Sequence, residues 1–272
     1  MKYTDIYQNE YPQVLRELAK EMPLELYYYG NLELINPANS LSIVGTRKVT
    51  KLGSNFCSQL IKDLAPAQTT IVSGLAYGVD SAAHQAALDN NLPTIAVLGS
   101  GLEAFDYFGR QRLIFNEMRQ RSNCLILSEH PPEFPALGWT FARRNRIIAA
   151  LSQTTLVVEA PLKSGALITA DWALLLKRNL WLLPGSGKNY EGSNKLIQEH
   201  PALALQNPQQ LLQDFGIQKH NTKQDPLLDL LPSSFDLLQE QLKIDGRDLS
   251  VQLSLLEIAG TIKKELGSYY LS

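Results

Sequence analysis

One pattern recurs from residue 41 to residue 184: a short, almost wholly apolar run, then small or polar residues, then a stretch with helical spacing. The runs lie at 41–45, 70–74, 94–99, 124–129, 155–160 and 180–184, and the helical stretches at 53–64, 80–90, 110–121, 141–151 and 166–177. A strand that is apolar on both faces must be covered on both, which is the condition of a parallel strand between two helical layers. Strand alternating with helix therefore predicts an α/β fold, an extended Rossmann-like, doubly wound, mostly parallel sheet. In such a sheet, ligands bind outside the carboxyl ends of the strands.

Four segments are expected. Residues 1–40 form a lead-in that packs on the sheet, with a short helix at 13–20 and a tyrosine-rich extended piece at 26–29; residues 41–218 form the Rossmann-like domain. Residues 219–225 read as a linker. Residues 226–272, with helical patterns near 235–242 and 249–259 and a closing hairpin pattern, read as a small winged-helix-like domain. The longest apolar runs are far too short to span a bilayer, and residues 1–20 carry Asp5, Glu10 and Glu17 with no apolar signal core. Cys57 and Cys124 show no metal-ligand spacing. A reduced, cytoplasmic setting is expected, with no membrane contact and no metal.

Net charge is −2, but it is unevenly spread: residues 1–40 carry −3, residues 41–190 carry +5 and residues 191–272 carry −4. A local basic footprint can hold phosphate on an acidic chain. The predicted strand ends supply such a footprint. Gly45-Thr46-Arg47 joins a glycine turn to a hydroxyl and a guanidinium, whose planar fork suits phosphate oxygens. Ser73-Gly74, Gly99-Ser100-Gly101 and Pro184-Gly185-Ser186-Gly187 place small residues where a ligand could approach the backbone. Phe141-Ala142-Arg143-Arg144-Asn145-Arg146, beside Trp139, combines rings with guanidinium groups at an expected helix start. Cations oppose the helix dipole there, which favours an anionic ligand, though a solvated basic helix start is the plainer alternative. Lys163-Ser164-Gly165 before another helix makes an anion nest or an ordinary turn.

Catalytic signals are weak. Asp80 and His84 stand one helical turn apart, which fits an acid–base pair less well than a structural contact. Glu159 is placed to cap the following helix or to order an arginine of the second cluster. No GxGxxG spacing or complete phosphate-loop frame is present, so no nucleotide cofactor is expected.

The ordered blocks Ile43-Val44-Gly45-Thr46-Arg47, Val72-Ser73-Gly74-Leu75-Ala76, Gly78-Val79-Asp80, Ala83-His84 and Ala96-Val97-Leu98-Gly99-Ser100-Gly101 resemble the DNA-processing protein A (DprA, also called Smf) family. The likeness continues through Arg144-Asn145-Arg146-Ile147-Ile148-Ala149, Val158-Glu159-Ala160, Ser164-Gly165-Ala166-Leu167-Ile168-Thr169-Ala170 and Gly192-Ser193-Asn194-Lys195, covering roughly residues 11–200. The resemblance implies a homodimer that binds single-stranded DNA in a basic pocket and loads the RecA recombinase in natural transformation, with no enzymatic activity. It implies DNA contacts at Gly45, Thr46, Arg47 and Gly74, at Arg144, Asn145 and Arg146, and at Lys163, Ser164 and Gly165, with Phe141 stacking on a base. It further implies that a helical N-terminal domain common in the family is absent, and that the acidic C-terminal unit contacts a protein as readily as DNA.

Three positions depart from the family pattern: Tyr77 for a usual arginine, Asp106-Tyr107 for Tyr-Pro, and His200-Pro201 for Gly-Ala. A rival resemblance is to nucleotide phosphoribohydrolases, with Glu159 at the glycosidic centre, although Pro184-Gly185-Ser186-Gly187 breaks their Pro-Gly-Gly turn. A third reading is a non-catalytic scaffold whose basic patch meets an acidic partner.

Overall fold

The computed structural model describes residues 1–104, 109–200, 203–217, 227, 230–258, 262–265 and 267–271. The linker at 219–225, Asp106-Tyr107 and Pro201 lie outside the described residues. The chain divides into two compact units, Met1–Gln218 and Lys219–Ser272.

In the first unit, eight strands form one sheet. They are β1 (Lys2–Asp5), β2 (Glu25–Gly30), β3 (Ser40–Val44), β4 (Thr70–Ser73), β5 (Thr94–Leu98), β6 (Cys124–Ser128), β7 (Thr154–Val157) and β8 (Asn179–Leu182). Their order is β1-β2-β6-β5-β4-β3-β7-β8. The run from β6 to β8 is parallel throughout. The tyrosine-rich piece is β2, paired antiparallel with β6. β1, which has no apolar run, completes a hairpin with β2 at the sheet edge.

The helices are α1 (Lys51–Asp63), α2 (Val79–Asp89), α3 (Arg110–Gln120), α4 (Gly138–Ala150), α5 (Gly165–Leu175), α6 (Glu191–Glu199) and α7 (Pro208–Asp214). Side-chain alternation along the strands sorts the core into two layers. Leu41, Ile43, Ile71 and Leu156 meet Cys57, Leu60, Ile61, Ala83 and Ala87 of α1 and α2. Val44, Val72, Ile95, Val97 and Val157 meet Ile147, Ile148, Ala166, Ala170 and Ala173 of α4 and α5, with Leu15 and Leu18 of the lead-in. Both cysteines are free and buried.

Chain order sets the position of the cleft. From β3 the chain moves outward through β4, β5 and β6, then returns to add β7 and β8 on the other side of β3. The loops after β3 and β7 therefore part in opposite directions, and a crevice opens between them.

In the second unit, α8 (Phe235–Leu242) and α9 (Gly246–Ile258) pack with a three-stranded sheet of β9 (Ser233–Ser234), β10 (Ile262–Glu265) and β11 (Ser268–Leu271). Leu227, Leu238, Leu249, Leu253, Ile262 and Tyr269 form its core. Two helices followed by a two-stranded hairpin make a small winged-helix-like unit.

Candidate functional site

A cleft of about 340 Å³ occupies the β3/β7 switch point. Gly45, Thr46 and Arg47 line it after β3, Ser164, Gly165, Ala166 and Thr169 line it from the start of α5, and Gly138, Phe141, Ala142, Arg144 and Asn145 line it from α4. Ala76 and Asp80 complete the wall.

Each edge has a local cause. Thr50 caps α1 by accepting from Gly53 N at 3.0 Å, and Ser164 caps α5 by accepting from Ala166 N at 3.3 Å. Asn145 Nδ2 donates to Gly165 O at 2.9 Å, fastening the start of α5 to α4. Glu159, fully buried, joins three turns. Its carboxylate accepts from Thr50 N at 3.1 Å, Thr50 Oγ1 at 2.5 Å, Asn189 Nδ2 at 2.8 Å and Tyr190 Oη at 3.1 Å. It neither caps α5 nor orders an arginine. Burial, reinforced by this carboxylate, pushes the Tyr190 phenol up to about 12.

What faces the opening is cationic and aromatic. Arg47 is exposed, and its guanidinium lies 5.2 Å from the centroid of the half-buried Phe141 ring. Thr169 Oγ1 is buried in the wall and has no hydrogen-bond partner among the described residues. Lys163 is exposed in a left-handed turn (φ 62°) one residue before the cleft-lining Ser164, but does not itself line the cleft. Tyr77, 49% exposed, lies in the loop after β4, next to Ala76 in the wall.

The arginine cluster corrects the sequence reading. α4 begins at Gly138, three residues earlier than expected, so Arg143, Arg144 and Arg146 lie beyond the first turn, where the dipole is felt. They also divide between two sides: Arg143 and Arg146, three apart, both meet Glu129, whereas Arg144 turns to the cleft. Arg146, 1% exposed, is not in the cleft: it makes a bidentate ion pair with Glu129 at 2.6 Å on both oxygens, and donates to Glu21 O and Arg143 O. Burial works to raise the Glu129 carboxyl, but the Arg146 hydrogen bonds and charge outweigh it and hold the carboxyl below the usual range. Arg144, 3% exposed, forms part of the cleft floor and donates to Val97 O.

Gly74 is likewise corrected, because a Cβ there would run into the Arg144 guanidinium. What approaches that backbone is the protein's own arginine. Gly45 and Gly99 serve the same end against Val79 and Phe141, whereas a Cβ on Gly165 would meet only Asn145 Nδ2, at 3.8 Å. Asp80 and His84 are not an acid–base pair. Asp80 accepts from Gly74 N at 3.2 Å, and burial, against Arg144, raises its pKa. His84 Nδ1 meets Thr94 Oγ1 at 2.8 Å, and burial pushes its pKa down to about 3.

Gly138, Ala142 and Thr169 were not read as site residues from the sequence; for the first two the signal was there, because 138, 141, 142 and 145 lie at i, i+3, i+4 and i+7 on one helical face. Among the described residues, no cluster of three or more His, Cys, Asp or Glu could hold a metal, and no helix is long and apolar enough to cross a membrane.

The fold and site define a Rossmann-like α/β protein with an arginine-edged, ring-lined cleft at its topological switch point. By its match over residues 2–216 to the family profile described as DNA recombination-mediator protein A, the chain belongs to that family. It is 39% identical over 191 residues to the DNA processing protein DprA of Streptococcus pneumoniae, covering 70% of this chain and 66% of that one. It is 43% identical over 180 residues to the Protein Smf of a Synechocystis strain, covering 65% of this chain and 44% of the relative. The chain thus spans about half to two thirds of the length of these curated relatives.

Solved structures of DNA processing protein A agree. The Streptococcus pneumoniae protein superposes with a TM-score of 0.71 at 35% identity, covering 80% of this chain and 75% of that chain. The Helicobacter pylori protein, solved for its single-stranded DNA binding mode, gives 0.69 at 30% identity, covering 78% and 95%.

Proposed function

We propose that this chain binds single-stranded DNA in the switch-point cleft. A backbone phosphate lies against Arg47 and the start of α5, and an unpaired base stacks on Phe141. The carrying observation is the exposed Arg47 guanidinium over the Phe141 ring, beside the first turn of α5. One group neutralises phosphate and the other stacks on a base, the pairing that sequence-tolerant single-strand binders use. Gly45 and Thr46 shape the turn that presents Arg47, and Asn145, Ser164 and Gly165 shape the opposite lip. Lys163 adds a second cation at the rim, reached by a strand that leaves the cleft along α5. Arg144 places a fixed positive charge in the floor, and Gly74 leaves the room its guanidinium needs.

Family membership supports a wider role: a cytoplasmic homodimer that hands bound single strands to the RecA recombinase during transformation. No observation favours the phosphoribohydrolase reading, since Glu159 is buried with its carboxylate engaged by four hydrogen bonds.

A salt-titrated filter-binding assay on an unstructured oligonucleotide tests the central claim. Each neutralised phosphate contributes about −0.7 to the log–log slope. Arg47→Ala should weaken binding to all sequences alike and flatten the slope by about 0.7. Unchanged affinity and slope in Arg47→Ala would remove the phosphate from this cleft. RecA assembly on single strands, with and without the protein, tests the delivery role.

A further inference from the structure

On the other flank of α4 lies a second concavity, of about 380 Å³, lined by His130, Phe134, Trp139 and Arg143 together with Glu25 and Glu129. Helical spacing separates the two: residues 138, 141, 142 and 145 face the cleft, whereas Trp139 and Arg143, four apart, share the opposite face. His130 and Phe134 stack with centroids 4.5 Å apart and planes 13° apart. Trp139 stands almost perpendicular to both, at 6.0 Å and 6.3 Å, and is 53% exposed, so a broad part of its indole is uncovered.

His130 is the opposite case. Only 8% of it is exposed, and its Nε2 has no hydrogen-bond partner among the described residues. A buried polar atom without a partner is rare and calls for one. Burial first, then the Arg143 and Arg146 charges, hold the imidazole pKa below its usual value against the pull of Glu129, so the ring is neutral at pH 7.

One exposed cation offers a phosphate contact. Glu129 is matched by Arg146 in a bidentate pair, yet Arg143 Nε also stands 3.5 Å from it, with that side chain 48% exposed. Two guanidinium groups share that carboxylate, and Arg143, the exposed one, is the cation a ligand at the groove meets. Glu25, the other acid there, accepts from the Tyr3 and Tyr27 hydroxyls, and with Glu129 it balances the formal charges of Arg143 and Arg146.

We infer that this groove is a second nucleobase subsite of the same single strand: a base stacks on Trp139 with a polar edge toward His130 Nε2, and its phosphate lies by Arg143. The inference rests on the reading that the strand occupies the cleft. Continuity supports it, because Gly138 lines the cleft and the next residue, Trp139, lines the groove. A strand leaving Phe141 reaches the groove by passing around the N-terminal turn of α4, where Gly138 and Trp139 stand side by side. An apolar peptide, the other occupant an aromatic groove suggests, would leave Arg143 and His130 Nε2 unused.

The test measures affinity for oligothymidylates from about 3 to about 12 nucleotides long, for the wild-type chain, Trp139→Ala, Trp139→Phe and Arg47→Ala. With the wild type, affinity should step up once the oligomer is long enough to reach the groove. Trp139→Ala should abolish that step, a loss of roughly tenfold for long oligomers, and leave short ones unchanged. Trp139→Phe should restore most of it, which a fold-damaged variant would not allow.

A Trp139→Ala chain that keeps the full length dependence overturns the subsite, and so does one that weakens short and long oligomers equally. Because Arg47→Ala reports on the cleft independently, a loss there with none at Trp139 overturns the second subsite alone. No loss in either variant overturns the first reading, and the second with it.

Discussion

Arg146 separates a cation that holds the protein together from one that holds its ligand, and truncating it has a calculable cost. In Arg146→Ala, Glu129 loses both 2.6 Å hydrogen bonds while its side chain stays only 7% exposed, and Arg143 Nε at 3.5 Å is the cation left beside it. Breaking a buried pair from one side strands a desolvated charge and typically costs about 3–5 kcal/mol. The lost bond to Glu21 O also releases the end of the lead-in helix at 13–21.

Urea unfolding followed by both tryptophan fluorescence and far-ultraviolet circular dichroism measures the change, the two probes guarding against separate unfolding of the two units. The double variant Arg146→Met with Glu129→Leu should recover most of the loss, since replacing both members by apolar groups is often neutral. Folded Arg146→Ala should bind single strands with the wild-type salt slope. A variant with wild-type stability whose slope flattens by about 0.7 would refute this assignment and return Arg146 to the DNA.

The pH dependence has a definite sign. The Glu129 carboxyl is held below its unfolded value, so the stability it gives is present above the ordinary carboxylate range and is lost as pH falls through its folded pKa. His84 acts at milder pH: unfolded it takes a proton near 6.5, whereas buried it takes none until about 3. The unfolded state therefore binds the extra proton, and stability should fall by about 1.4 kcal/mol per pH unit between roughly pH 6 and 4 from this residue. His84→Gln should remove one proton's worth of that slope in urea titrations run across the range; an unaltered slope would show that His84 is not the group responsible. Glu159→Gln puts an amide NH₂ against at least one of four donors and should cost about 1–3 kcal/mol in the same assay. It should also weaken oligonucleotide binding, because the turn carrying Arg47 is hung from Thr50; stability lost with binding intact would sever that link.

The parallel core was legible because its strands are apolar on both faces, and that demand is written directly into 41–45, 70–74, 94–99 and 155–160. β1 was not, since Lys2–Asp5 lies at the sheet edge and needs no apolar face. Of the cleft, the two lips at Gly45-Thr46-Arg47 and Ser164-Gly165 followed from strand ends, where fold topology fixes the location. The arginine cluster misled because adjacency in sequence is not adjacency on a helix. At about 100° per residue, Arg144 turns to the cleft floor, while Arg143 and Arg146, three apart, come together on Glu129. The tertiary partner decided each case, and Glu129 and Val97 lie too far along the chain for local pattern to reveal them. The rim glycines posed the same ambiguity: a glycine that admits a ligand and one that admits the protein's own side chain are identical in sequence.

That ambiguity bears on selectivity. Gly74 and Gly99 are filled by Arg144 and Phe141, so the rim is closed there, and the open chemistry narrows to the Gly45-Thr46-Arg47 turn, the Phe141 ring and the start of α5. A duplex keeps its bases stacked within the helix and presents phosphates on a stiff frame, which satisfies the guanidinium but leaves the ring without a partner. Only a strand with unpaired bases can lay a phosphate on Arg47 and a base on Phe141 together. Neither contact reads a base edge. On the proposed reading, discrimination is thus between single and double strands and not among sequences, because the cleft joins one phosphate contact to one aromatic face at fixed separation.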